Sequence, residues 1–457
     1  MSTPVRARIS GLRPRFDPRV RDYVSACGGG GLTVRLRAMR GAEVRLGGGS
    51  WGQRVRERVR LSPNESTSFA VRRDDARRHY HVRCLPAGFP RWRYDARSPG
   101  AAPFYAVTPG DWAVIFDRNG APVWWWRESR GAHGLQVLGN GNLAFSRSGG
   151  AGFGVNAKRM GHEIRTPSGR LVRLLRTRGA PTDHHELQEL SNGNYLLDTY
   201  APRDRPVDFS AWGGPTDAPV VDGELQELDR RGRVVWRWSS ADHVATSERL
   251  RRDFSNDSPL HRQAEGRGAY DMAHLNSADV VGDRVVISLR FMDAVYAVDR
   301  ADGEVIWKLG GTETAESLRV IGDPQRPPLA AQHDARVRPD GTVTVFDNRT
   351  GGHGRPRAVR YRIDEPAGTA TFIEERVDPR VSISKCCGSA RVLGDGSWLV
   401  GWGGPDVTEF TPDGDIAFRL RFPGTFTYRA IPASRSAVSI EELRSAMDRI
   451  AARRSTG

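Results

Sequence analysis

The sequence predicts an all-β protein: a small β-sandwich, then a six-bladed β-propeller, then a short C-terminal helix. Three observations carry that prediction. Turn residues punctuate the chain, with 51 Gly and 28 Pro in 457 residues, and the apolar residues between them fall in short, strand-length runs. From Phe104 onward one strand–turn–strand–turn–strand unit recurs six times at spacings near 50 residues. Near the C-terminus the apolar spacing changes from a strand period to a helical one.

Residues 1–100 form the predicted sandwich. GLTVRLRAM, AEVRLGG, SFAVRR and YHVRCLP alternate apolar with polar side chains, the period of half-buried strands. This part also holds most of the basic excess: residues 1–90 contain 19 Arg against 7 acids, or +12 of a formal +15. An Arg-rich face can bind polyanions. These arginines, however, alternate with apolar residues, as in VRLRAM and RVRERVRL, the pattern of a solvated strand face, so no nucleic-acid partner is expected. Cys27 and Cys84 lie in this segment as either a disulfide or buried thiols. Cys386 and Cys387 have no zinc spacing and are assigned no chemistry.

The SPGAAP stretch at 98–103 marks the linker into the propeller, residues 101–432. In each unit a turn glycine precedes an apolar strand, at Gly110, Gly141, Gly193, Gly282, Gly341 and Gly396. A second turn follows at Gly120, Gly169, Gly232, Gly303, Gly368 and Gly414, leading into strands such as PVWWW, RVVWRW and EVIWKL. The Trp124–Trp126 run is read as core packing rather than as a stacking platform. Insertions fall at 200–222 and 244–270, the latter either a lid or a surface loop. The strand FTYRAIP (426–432) completes the first blade and closes the ring. In residues 433–457, Ser439 and Glu442 form a capping box, and Ile440, Leu443, Met447 and Ile450 make one helical stripe that docks on the body. No run approaches the ~20 apolar residues of a membrane span. The N-terminal MSTPVRARISGLRPRF lacks the apolar region of a signal peptide.

The histidines fall on the repeat. His133, His185, His274 and His333 each stand eight residues before the first turn glycine of their unit, although the chain has only 11 His. Equal phase in a propeller means equal radius and height, so these imidazoles converge on the axis. Converging imidazoles suit either a metal site or group transfer to an anion. Glu186 and Asp334 directly follow a His and on a strand point away from it, so no metal ligand set is assigned. Arg290, just beyond the strand that follows His274, is placed to fork onto a sulfate or phosphate. No GxxxxGK[ST] loop is present for a nucleotide donor.

DHHELQELSNGNYLL (183–197), DMAHLNSADVVGDRVVISLRFMDAVYAVD (271–299), WKLGG (307–311) and QHDARVRPDGTVTVFDN (332–348) resemble the arylsulfotransferase family over roughly residues 100–430. The resemblance implies a β-sandwich before a six-bladed propeller. It also implies ping-pong sulfuryl transfer from an aryl sulfate to a phenolic acceptor, with no cofactor and no nucleotide donor. By motif position His333 would be the nucleophile. His274 and Arg290 would hold the sulfuryl oxygens, with His274 also a proton donor, and His185 would be the remaining functional histidine, His184 being the register alternative. Asn276 would contact the sulfuryl group or orient His274. His133 is a substrate-binding candidate on repeat phase alone. Many family members are exported, whereas this sequence displays no signal peptide, which leaves localisation open. Two other functions fit the residues: a metal-dependent hydrolase using the same histidines, and a non-catalytic propeller binding partners through its basic sandwich.

Overall fold

The computed structural model describes residues 5–27, 31–147, 160–249, 269–350 and 354–454. The fold is all-β, built from many mainly antiparallel sheets in a propeller-like arrangement. Two sheets come from the N-terminal segment. One contains Val5–Ile9, Leu32–Ala38 and Arg54–Val59; the other is five-stranded and includes Asp22–Ser25, Ala42–Leu46, Ser66–Arg73 and Ala76–Cys84. They enclose one core that includes Val34, Val44, Phe69, Tyr80 and Val82. The alternation read from the sequence appears directly: Leu32, Val34 and Leu36 are buried while Arg35 and Arg37 are exposed. Register sets Arg6, Arg37 and Arg54 in one row and Arg8, Arg35 and Arg56 in the next, all exposed on the outer face.

Cys27 and Cys84 form a disulfide, with Cα atoms 5.5 Å apart and 57 residues of separation. Closing a loop of that length in the unfolded chain corresponds to about 4 kcal/mol. Reduction should therefore lower the stability of the N-terminal sheets by roughly that amount. Urea unfolding with and without dithiothreitol, monitored by a probe in this region, checks it.

Six further sheets follow among the described residues; in five of them four consecutive strands run as an antiparallel meander, and in the first, three consecutive strands are joined by one from much later in the chain. The strands nearest the histidines are Ala132–Val137, Thr182–Glu189, Leu275–Val281, His333–Val337 and Ser389–Val392, and each lies against the next in sequence. The first of these sheets combines Phe104–Pro109, Trp112–Asp117 and Pro122–Arg127 with Thr427–Ala433, which pairs antiparallel with Phe104–Pro109 as the FTYRAIP segment predicts. The last sheet takes its outer strand, Arg93–Ala96, from upstream of the first. All twelve repeat glycines have positive φ, the backbone geometry that makes each turn. At Gly120, with φ +79°, a Cβ would also stand 2.2 Å from the Tyr94 ring.

Trp124 and Trp125 are core residues, as expected, and Trp124 Nε1 donates to Pro167 O at 2.7 Å. The helix spans Ile440–Arg454. Its capping box forms, Ser439 N donating to Glu442 Oε2 at 2.8 Å and Glu442 N to Ser439 Oγ at 3.1 Å. Leu443, Met447 and Ile450 join the core of the first sheet, while Arg444 pairs with Asp22 at 2.7 Å and ties the helix to the N-terminal segment. No helix among the described residues is long and apolar enough to cross a membrane. Residues 244–249 of the long insertion are anchored, Glu248 meeting Lys308 Nζ at 2.8 Å and Tyr296 Oη at 3.0 Å. Residues 250–268 lie outside the described residues.

Candidate active site

His133, His185 and His333 lie in, and His274 immediately before, the innermost strands of consecutive sheets. Each of these strands carries a register shift at the histidine: between His133 and Gln136, Thr182 and Leu187, Leu275 and Ser277, and His333 and Arg336. A bulge bends its strand and re-aims the side chain. Backbone strain accompanies it, since His274 and Asp334 hold φ near +50°, sparsely populated for residues with a Cβ.

The rings line up. His133 lies 4.7 Å from His184, His184 4.3 Å from His185, and His185 5.4 Å from His274, centroid to centroid. His184, the register alternative, thus joins the row rather than replacing His185. Tyr428, from the strand that completes the first sheet, stands edge-on to His133, His184 and His185.

Carboxylates orient two of the imidazoles. Asp183 Oδ2 meets His185 Nδ1, and Asp271 Oδ2 meets His274 Nδ1 at 2.5 Å. Each pairing fixes the ring and turns Nε2 the other way. The sequence signal for these acids is a carboxylate two or three residues before the histidine, a cue that strand alternation did not single out.

His333 is held differently. Its Nδ1 faces Asn348 Oδ1 at 2.7 Å and Ala331 O at 3.2 Å, while Nε2 accepts from Cys387 N–H at 3.1 Å. Asn348 Nδ2 donates to Ser384 Oγ and to the Cys387 carbonyl, so its oxygen is the atom facing the ring. Nδ1 therefore carries the proton and Nε2 the lone pair. Arg290 sits in a short turn after Arg284–Leu289, its Nη2 donating to Lys385 O at 2.7 Å, and its charge acts on His333. Asn276 is fully buried and donates to Gln332 O at 2.8 Å, which spends its amide on the backbone just before His333.

Burial pushes His274 down to about 4, and does the same to His133 and His162. His333 is driven well below the usual imidazole range by burial, then by Arg290 and its histidine neighbours. Above about pH 6.5 folded and unfolded chains both hold these rings neutral; below it the unfolded chain takes up protons that the fold excludes. Stability should then fall progressively between pH 6.5 and 4, by on the order of 3 kcal/mol for each of His133, His162 and His274. Urea midpoints measured across that range check it; a flat profile would contradict the burial of neutral imidazoles.

Glu186 and Asp334 do point away from their histidines, into a buried ionic hub. Arg336 Nη2 contacts Glu186 at 2.5 Å and Asp334 at 3.0 Å, Arg391 reaches Asp334 at 2.6 Å, and Arg429 lies 3.5 Å from both acids. A cavity of about 160 Å³ separates this hub from His184 and His185. Asp183, His184 and His185 bring ligand atoms within 4.8 Å of one another, a spacing that could also hold a metal ion.

Comparison with known proteins matches most of the propeller-like region to one family. The family model described as arylsulfotransferase (ASST) matches residues 135–423, more than half of the chain. No match was found among curated proteins. Among solved structures, the chain is similar to a protein of unknown function from Bacteroides caccae (TM-score 0.43, 12% identity, covering 72% of this chain and 98% of that one). It is also similar to a streptogramin B lyase (TM-score 0.38, 10% identity, 72% and 86%). On the strength of the family match, the chain belongs to the arylsulfotransferase family.

Proposed function

We propose that this chain is an aryl-sulfate sulfotransferase working by a ping-pong mechanism through a sulfohistidine on His333, within a six-bladed propeller. The family supports sulfuryl transfer to and from small aryl substrates. The observation that carries the finer reading is the tautomer of His333: a neutral imidazole whose Nδ1 proton is held by Asn348 and whose Nε2 lone pair rests on the Cys387 N–H, a bond the attack on sulfur replaces, beside Arg290 and two carboxylate-oriented histidines.

In the first half-reaction Nε2 attacks sulfur, an N–S bond forms and the S–O bond to the aryl group breaks. The phenolate takes a proton from His274 or His185, whose Asp271 and Asp183 partners stabilise the imidazolium form. Arg290 binds the sulfuryl oxygens, where charge develops. Asn348 holds the Nδ1 proton, so the ring becomes cationic as it is sulfated without needing to reorient. In the second half-reaction the same histidine deprotonates an acceptor phenol, which attacks sulfur and releases His333. The low proton affinities of His274 and His333 suit an anionic substrate: these two rings are neutral in the free site, and the arriving sulfate ester supplies the charge that makes protonation of His274 favourable.

The test is p-nitrophenyl sulfate turnover in EDTA, with and without phenol. Release of nitrophenol that phenol accelerates and EDTA leaves intact supports transfer. The Asp183–His184–His185 cluster favours one second reading, a metal-dependent hydrolase; release that needs metal and ignores phenol would establish it instead.

A further inference from the structure

Two consecutive cysteines meet the His333 ring through the backbone N–H of the second. Cys386 and Cys387 are consecutive, their sulfurs lie 2.6 Å apart, and Cys387 holds φ +66°. The backbone here grips the functional groups at three points. Cys387 N–H donates to His333 Nε2, the Cys387 carbonyl accepts from the Asn348 amide that positions Nδ1, and the Lys385 carbonyl accepts from Arg290. The next residue fixes the path: a Cβ on Gly388, with φ +106°, would stand 2.2 Å from the Phe346 ring.

We propose that Cys386 and Cys387 form a redox-modification site that takes a low-molecular-weight disulfide as oxidant, and that closing the vicinal disulfide disengages His333. The second half of the proposal rests on the reading of His333 as the nucleophile. Cys386 thiolate attacks the small disulfide, breaking its S–S bond and expelling one thiolate. Cys387, giving up its proton, then attacks Cys386 Sγ and expels the second. Two protein thiols are oxidised by two electrons, and one disulfide is reduced to two thiols.

Chemistry favours Cys386 as the attacking group. The bond from the Cys387 thiol, aided by the Arg290 charge and opposed by burial, lowers Cys386 to about 7. The product is labile by construction. Consecutive Cα atoms lie about 3.8 Å apart across a trans peptide, inside the ~4.4 Å lower limit usual for disulfides, so the ring is strained and easily reduced. Cys27–Cys84, at 5.5 Å, is within the ordinary range. Ring closure must twist the 386–387 peptide, which moves the Cys387 carbonyl that holds Asn348 on Nδ1 and the neighbouring Lys385 carbonyl that holds Arg290, so His333 loses its orientation and its anion-binding neighbour together.

The experiment treats reduced protein with glutathione disulfide. The peptide holding residues 386 and 387 should lose two hydrogens by mass. Sulfuryl transfer should fall about 10²-fold, the loss that accompanies ~1 Å misplacement of a reacting group, and return with dithiothreitol. Cys386→Ser, which keeps the backbone N–H, should transfer normally and ignore the oxidant. Failure of the pair to oxidise, or oxidation with an unchanged rate, would overturn the proposal. If the reduced protein transfers no sulfuryl group, the functional reading falls. The imidazole ¹⁵N resonances of His333 then decide this proposal: they must shift between the two redox states, and unchanged resonances reject it.

Discussion

His333→Asn should abolish phenol-dependent release from p-nitrophenyl sulfate, by about 10⁴-fold or more, because removing a covalent nucleophile removes the two-step route itself. Asn retains a polar side chain in the space bounded by Asn348 and Cys387, so folding should persist, and circular dichroism on the same sample separates lost chemistry from lost structure. Substituting Arg290 should cost less, about 10²–10³-fold, since it removes one source of charge stabilisation and leaves the nucleophile in place. A His333→Asn protein that still transfers sulfuryl groups to phenol would sink the sulfohistidine mechanism.

The second large effect concerns stability. Asp334 is fully buried, contacts Arg336 and Arg391, lies 3.5 Å from Arg429, and accepts from Ala390 N–H at 3.1 Å. Asp334→Asn keeps the shape and the backbone bond but strips the negative charge from between two buried guanidinium groups, those of Arg336 and Arg429, and the half-buried one of Arg391. Breaking a buried pair by removing one partner costs about 3–5 kcal/mol, and here one carboxylate serves several cations, so the upper end is expected. Equilibrium urea unfolding measures it directly. A change below about 1 kcal/mol would mean that Glu186 alone neutralises the hub.

The two substitutions mark where the sequence was readable. The repeat could be found because each turn demands positive φ, a demand that falls on glycine and so recurs in the text at Gly141, Gly193, Gly282 and Gly341. The histidines kept phase with those glycines for the same geometric reason. Asp183 was missed because the bulge there breaks the two-residue period on which facing arguments depend, and Asp271 because it sits on a separate short strand before the one that follows His274. Asn348, Cys387 and Tyr428 were missed for a different reason. They reach the site from other strands and turns, and only tertiary packing brings them there. Cys27 and Cys84 had two equal readings, because spacing alone does not choose between a bridge and two thiols.

The closure of the first sheet also has a temporal meaning. Phe104–Pro109 leaves the ribosome early, but its edge partner Thr427–Ala433 follows about 320 residues later, a delay on the order of 15–60 s at roughly 5–20 residues per second. Arg93–Ala96 waits almost as long for Ile416–Arg421. Throughout that interval the nascent chain presents two unpaired strand edges, templates for pairing with a neighbouring copy. The last step in folding the propeller-like body therefore waits for this strand, and the strand that brings Tyr428 to the histidines is the one that ends the exposure. Assembly of the site and protection against aggregation become the same event.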